Sequence, residues 1–168
     1  MRSCFVALLI TVGTITSAAA GSVFAPTSGP SCPGTSKLEF NVWRCPGPGG
    51  YVAEFSDEGN MVSVAIAKAP LRGRALTPTA TFRGSGKVFG DKLEWIVDNG
   101  RPTAAILRTW RVDASDDGVE KEIQELVVFK VEPNKTCQYA AVNARQPMAN
   151  ELAAKQATDA AEGHCAEK

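Results

Sequence analysis

Four cysteines limit this chain more than any other residues do. They are Cys32, Cys45, Cys137 and Cys165, and a fifth, Cys4, lies in an N-terminal segment with the marks of an export signal. Arg2 supplies a positive start, residues 4–12 are apolar (CFVALLITV), and Ser17, Ala18, Ala19 and Ala20 offer small residues for cleavage after Ala20. The apolar run is far shorter than the roughly 20 residues a membrane-spanning helix needs. Cys4 sits at the wrong end of the segment for a lipoprotein. The expectation is therefore a signal peptide over 1–20 and a periplasmic or secreted domain with no membrane attachment after cleavage. An even number of cysteines in an oxidising compartment reads as disulfides. Of the three pairings, Cys32–Cys45 with Cys137–Cys165 is favoured, because each pair is local and brackets a compact segment. Loop-closure entropy gives each about 3–4 kcal/mol. A metal site lacks ligands: there is no C-x-x-C, and His164 is the one histidine.

Cleavage leaves 148 of the 168 residues, one domain's worth of chain. With 18 basic and 18 acidic residues the charge is balanced. No basic excess is present to neutralise phosphates, which argues against nucleic-acid binding.

Residues 21–37 are rich in Gly, Pro, Ser and Thr and read as a flexible leader, ordered mainly near Cys32. A first strand is predicted over 38–43, followed by a turn at Cys45, Pro46, Gly47, Pro48, Gly49 and Gly50. Tyr51, Ala53 and Phe55 alternate onto one face, and so do Val62, Val64 and Ile66. Asp57, Glu58, Gly59 and Asn60 form the turn between them, so the two runs predict a hairpin. Residues 68–86 read as loop, and 87–89 as a short edge strand. Further strands are predicted over 93–97, 104–112, 120–131 and 137–142, separated by turn residues. Residues 147–162 are rich in Ala, Glu, Lys and Gln and predict one helix, with Pro147 in its first turn and Gly163 at its stop. Its apolar stripe is Met148, Leu152 and alanines. The fold class expected is α+β, mostly β: an antiparallel sheet or small barrel of six to eight strands, one C-terminal helix and two disulfides, in a single domain over 38–168.

Catalytic patterns are sparse. There is no G-x-S-x-G and no H-E-x-x-H. Glu39, Glu54, Glu94, Asp98 and Asp113 are carboxylates, but no spacing selects a pair. No catalytic residue, cofactor or metal is assigned. Three features stand out. Trp43, Arg44 and Cys45 lead into the Pro/Gly turn and Tyr51, which reads as a disulfide-anchored turn flanked by core aromatics. Glu94 and Trp95 lie on a strand that, if paired with the next, brings Glu94 opposite Arg108 or Arg111 as a structural ion pair. Arg83, Gly84, Ser85, Gly86 and Lys87 form a loop whose small residues allow close approach to a partner.

Two resemblances follow. Trp43, Arg44, Cys45, Pro46 and Gly47, then Gly50 and Tyr51, Glu94 and Trp95, Pro102, Ala105, Cys137, residues 149–153 and Cys165 together resemble a family of small secreted bacterial proteins of unknown function. This covers most of the chain after residue 20 and implies export and two disulfides. A second resemblance covers about twenty residues. Gly84, Ser85, Gly86, Lys87, Val88 and Phe89, with Glu94, Trp95, Gly100 and Ala104, are similar to the central motif of the periplasmic inhibitors of c-type lysozyme. That family implies a disulfide-bonded β-barrel presenting a serine to the lysozyme cleft. Ser85 matches the serine. The family's second functional residue, a lysine, does not carry over, because Asp98, Asn99 and Gly100 occupy its turn, and Arg83 replaces the motif's first serine.

The resulting expectation is a monomeric exported binding domain, lysozyme-inhibitor-like and not an enzyme, using Ser85, Gly84, Gly86 and Lys87 on a protein partner such as lysozyme. The alternatives are an envelope structural or interaction protein and a small hydrolase with an unrecognised carboxylate pair.

Overall fold

The computed structural model describes residues 21–34, 41–71, 76–84, 87–114, 119–133 and 135–165. The predicted signal segment, and Glu39, Ser85 and Gly86, lie outside them. Among the described residues nine strands and one α-helix are formed: β1 Gly21–Pro26, β2 Asn41–Pro46, β3 Tyr51–Asp57, β4 Met61–Lys68, β5 Ala80–Arg83, β6 Phe89–Asp98, β7 Arg101–Ala114, β8 Glu120–Val131, β9 Thr136–Asn143 and α1 Ala149–Glu162, with a 3-10 turn at Pro48–Gly50 between β2 and β3. They build two antiparallel sheets, one ordered β1-β6-β7-β8-β9 and one ordered β2-β3-β4-β5.

Alternation explains the layers. Leu93, Trp95, Ala105, Leu107, Val127 and Phe129 point from the five-stranded sheet to Ala53, Phe55, Val64, Ile66 and Phe82 of the four-stranded sheet, forming the main core. The intervening Ala104, Ile106, Leu126, Val128 and Val142 face the opposite way and meet α1. Fully burying one such branched or aromatic side chain contributes roughly 1.5–3 kcal/mol. The β3–β4 hairpin forms as its alternation predicts, with Phe55 opposite Val64 and Tyr51 opposite Lys68.

Three expectations are corrected. Gly21–Pro26, read as leader, is an edge strand that pairs with β6, Val23 opposite Trp95, and so adds a strand beyond the expected eight. Only Ala25 of the six is buried, so no apolar pattern advertised it. Ala80–Arg83 is likewise a strand, with Ala80 and Phe82 buried, whereas 87–89 is not a separate one: Phe89 opens β6. The helix starts at Ala149, after Met148 in a left-handed conformation (φ 56°), so Pro147 precedes it. It packs through Ala149, Ala153, Ala157 and Ala160, while Met148 and Leu152 face solvent. Small side chains let its backbone lie close on the sheet, and bulk comes from the sheet's own residues.

Both favoured disulfides are present, Cys32–Cys45 and Cys137–Cys165. The second ties β9 to the chain beyond the helix. Buried Lys130 fastens the same end, its Nζ donating to the carbonyls of Ala160 (2.8 Å) and Ala161 (3.3 Å). A cation there complements the helix dipole. Among the described residues no helix is long and apolar enough to cross a membrane.

Candidate functional site

Gly84, after β5 of one sheet, and Lys87, before β6 of the other, stand at one pole of the sandwich, with Ser85 and Gly86 between them outside the described residues. Each of the two flanks is held by a backbone hydrogen bond. Gly84 N donates to Asn60 O (3.1 Å), and Val88 O accepts from Trp110 N (2.8 Å). Gly84 is itself buried. A Cβ there would stand 3.0 Å from Val88 Cγ2 and 3.4 Å from the Trp110 carbonyl, so close packing explains the glycine. Lys87 is exposed and pairs with Asp91 at 2.8 Å. With both side chains largely solvated, this pair contributes little to stability.

Beside Lys87 a pocket of about 320 Å³ opens, lined by Thr27, Trp43, Asp57, Val62, Phe89 and Asp91 among others. Each wall has a local cause. The Trp43 ring stacks on Phe55 (centroids 5.7 Å apart, planes 18° apart), and its Nε1 donates to Thr27 O at 2.6 Å. Phe89 packs against Phe55 and Phe82. Thr27 is held across the rim by its N–H to Asp91 O and its hydroxyl to Gly90 O. Asp57 Oδ1 accepts from Gly59 N in the β3–β4 turn (2.8 Å). The pocket thus has an aromatic floor and two carboxylates, one engaged in a turn and one paired with Lys87.

The other singled-out residues fall elsewhere. Glu54 is buried and accepts from Arg44 Nε and from Leu76 N, each at 2.6 Å. Among the described residues no arginine pairs with Glu94. It accepts from Ser22 Oγ at 2.6 Å, because β1, unforeseen, lies beside it, and it shares a groove of about 400 Å³ with Phe24 and Arg108. Arg111 instead binds Glu125 (2.9 Å), and that hydrogen bond raises its pKa above the ordinary guanidinium value against the opposing effect of burial. Asp98 accepts from Asn99 in the β6–β7 turn, and Asp113 lies 3.6 Å from Arg111. Tyr51 and Trp95 are core residues with ring centroids 6.5 Å apart. The anchored-turn reading of this region matches the structure. Gly47 is part of it: a Cβ there would lie 2.5 Å from the Trp95 ring. His164 is exposed.

Nothing in the sequence brings Thr27, Asp57 and Phe89 together as walls of one pocket, since they meet only through the pairing of distant strands. Among the described residues no group of three His, Cys, Asp or Glu side chains converges as a metal-ligand set. No family model, no curated protein and no solved structure matches the chain.

Proposed function

We propose that this chain is an exported binding protein that meets its partner at the 84–91 pole, in the manner of a c-type lysozyme inhibitor. The observation that carries the reading is the clamp: the connection from β5 to β6 is held at Gly84 and Val88 beside an aromatic-floored pocket, with Lys87 exposed. Backbone already held at Gly84 and Val88 has less conformational entropy to lose on binding, so more of the contact energy there appears as affinity. Asp57 and Asp91 give the rim a negative character that suits a basic partner. Two disulfides support an oxidising compartment, and the segment over 1–20 supports export.

The test is a cell-wall lysis assay. The oxidised protein, recovered after export, is titrated into a c-type lysozyme. Inhibition is expected, with loss of most of it in Ser85→Ala and partial loss in Lys87→Ala. No inhibition at tens of micromolar, or inhibition indifferent to both substitutions, overturns the reading.

A further inference from the structure

A groove of about 400 Å³ runs over the outer face of the five-stranded sheet, beside the first turns of α1. It shares no lining residue with the pocket at the pole. Its inner wall is apolar, with Ile106 of β7 and Leu126 of β8 packed against Ala153 of the helix. Its outer rim is Phe24 of β1, whose side chain is 60% exposed. Two cations, Lys92 and Arg108, complete the lining. A bulge in β6 puts them together. The register passes from Phe89 opposite Thr109 to Leu93 opposite Leu107, so Gly90, Asp91 and Lys92 share Arg108 as their one counterpart. Bulges re-aim side chains and recur beside active sites. Gly90 gives the arginine its room, since a Cβ there would stand 3.1 Å from Arg108 Cβ.

The charges in the groove do not cancel. Among the described residues neither Lys92 nor Arg108 has an ion pair or a side-chain hydrogen bond, although Arg108 is half-buried. The acids around them are committed elsewhere. Asp91 pairs with Lys87 at the pole. Glu94, the one acidic lining residue, accepts from Ser22 Oγ at 2.6 Å. Ser22 stands opposite Ile96, on the side away from Lys92, so that bond draws the carboxylate away from the cations. Like charges side by side on a sheet repel, and a partly desolvated guanidinium lacks the partner its burial calls for. We propose that the groove binds an apolar monocarboxylate, its head on Arg108 and Lys92 and its body along Ile106 and Leu126, against Phe24. Lys92 and Arg108 set against Glu94 leave one net positive charge, which a single anionic head neutralises. A guanidinium matches a carboxylate with two parallel hydrogen bonds. Apolar walls with a few convergent polar groups are the usual make-up of a small-ligand site.

The probes are octanoate, octylamine and acetate, titrated into the isotope-labelled, oxidised full chain as recovered after export and followed by amide NMR. Octanoate is expected to shift the signals of Phe24, Arg108 and Asn150 saturably. Octylamine has the tail with the wrong charge and acetate the head alone, so neither should match it. Arg108→Gln should weaken octanoate about tenfold or more, as the loss of hydrogen bonds from a charged donor does. Lys92→Gln should weaken it by less, about threefold, because that ammonium stays in water. Glu94→Gln should tighten it about threefold, since the repelling charge is gone while the amide oxygen still accepts from Ser22. Where Arg108→Gln fails to fold, the Lys92 and Glu94 variants carry the test through their opposite signs. Equal responses to octylamine or acetate, shifts centred outside the groove, or indifference to the substitutions overturns the proposal. So does the absence of a saturable response to millimolar octanoate.

Discussion

On the β1/β2 side the two sheets are joined by the chain itself, whereas on the β5/β9 side they face each other across a seam of about 990 Å³. After β1 the chain crosses from the five-stranded sheet to the four-stranded one. Thr27 O accepts from the Trp43 indole, Pro33 O accepts from Arg44 N, Gly34 bridges to Trp43, and Cys32 is bonded to Cys45. These contacts fasten the segment that leaves β1 onto β2, and Thr27, bonded to Asp91 and Gly90 of β6, carries the tie to the five-stranded sheet. β9 is as well fastened, but in a different direction. Its disulfide runs to Cys165 just past the helix, and the neighbouring Lys130 holds the helix carbonyls. Those ties bind strand to helix within one half of the molecule and leave the seam open. A cross-link's position matters more here than its presence.

Breaking each disulfide separately gives the largest expected effects. The bridges span sequence separations of 13 and 28 residues. Loop-closure entropy puts the loss from either double Cys→Ala variant at about 3–4 kcal/mol, read as a shift in urea midpoint. The two losses should differ in where they loosen the protein. Without Cys32–Cys45, hydrogen exchange should accelerate in β1 and β2. Without Cys137–Cys165 it should accelerate in β9 and the end of α1. Identical exchange patterns would mean that the two sides are not separately fastened.

Lys130→Met sharpens the same contrast at a smaller scale. The substitution keeps the stem and removes the ammonium, leaving the carbonyls of Ala160 and Ala161 without that donor. Hydrogen bonds to a charged group are worth roughly 1.5–3 kcal/mol, so a loss of about 2 kcal/mol is expected. Because Lys130 shares no partner with Cys32 or Cys45, its effect should add to theirs within about 0.5 kcal/mol. Strong non-additivity in urea unfolding would show that the helix end and the β1/β2 lacing form one unit.

These contrasts also show which parts of the fold are legible in the residues alone. The β3–β4 hairpin is legible because each strand buries one face, and burial writes period-two alternation. Both disulfide pairings are legible because each joins local partners. β1 is not, since an edge strand with one buried residue has no pattern to write. β5 is four residues long, with Ala80 and Phe82 as its only buried pair. The helix was legible in extent but not in facing: alanines carry little hydrophobic contrast, so Met148 and Leu152 drew the stripe toward themselves. The ion pair expected for Glu94 failed for the same reason as β1, because the unforeseen strand supplies Ser22 as its partner. The pole was half legible. Lys87 and Trp43 were singled out, but for separate reasons, and nothing local announced that Thr27, Asp57 and Phe89 close the pocket between them.

The smallest expected effect is the most direct test of the open side. Gln138 is exposed on β9, within the wall of the seam. Gln138→Lys adds a charge of the kind that natural edges use to repel other strands. If the seam contributes nothing to holding the sheets together, this surface change should alter stability by no more than about 0.5 kcal/mol. A thermal or urea midpoint displaced well beyond that would mean that the gap is already bridged in solution by the protein's own residues. An unchanged midpoint would mean that this stretch of β9 takes no part in holding the sheets together, and that β9 can keep an uncharged edge because stability does not depend on covering it.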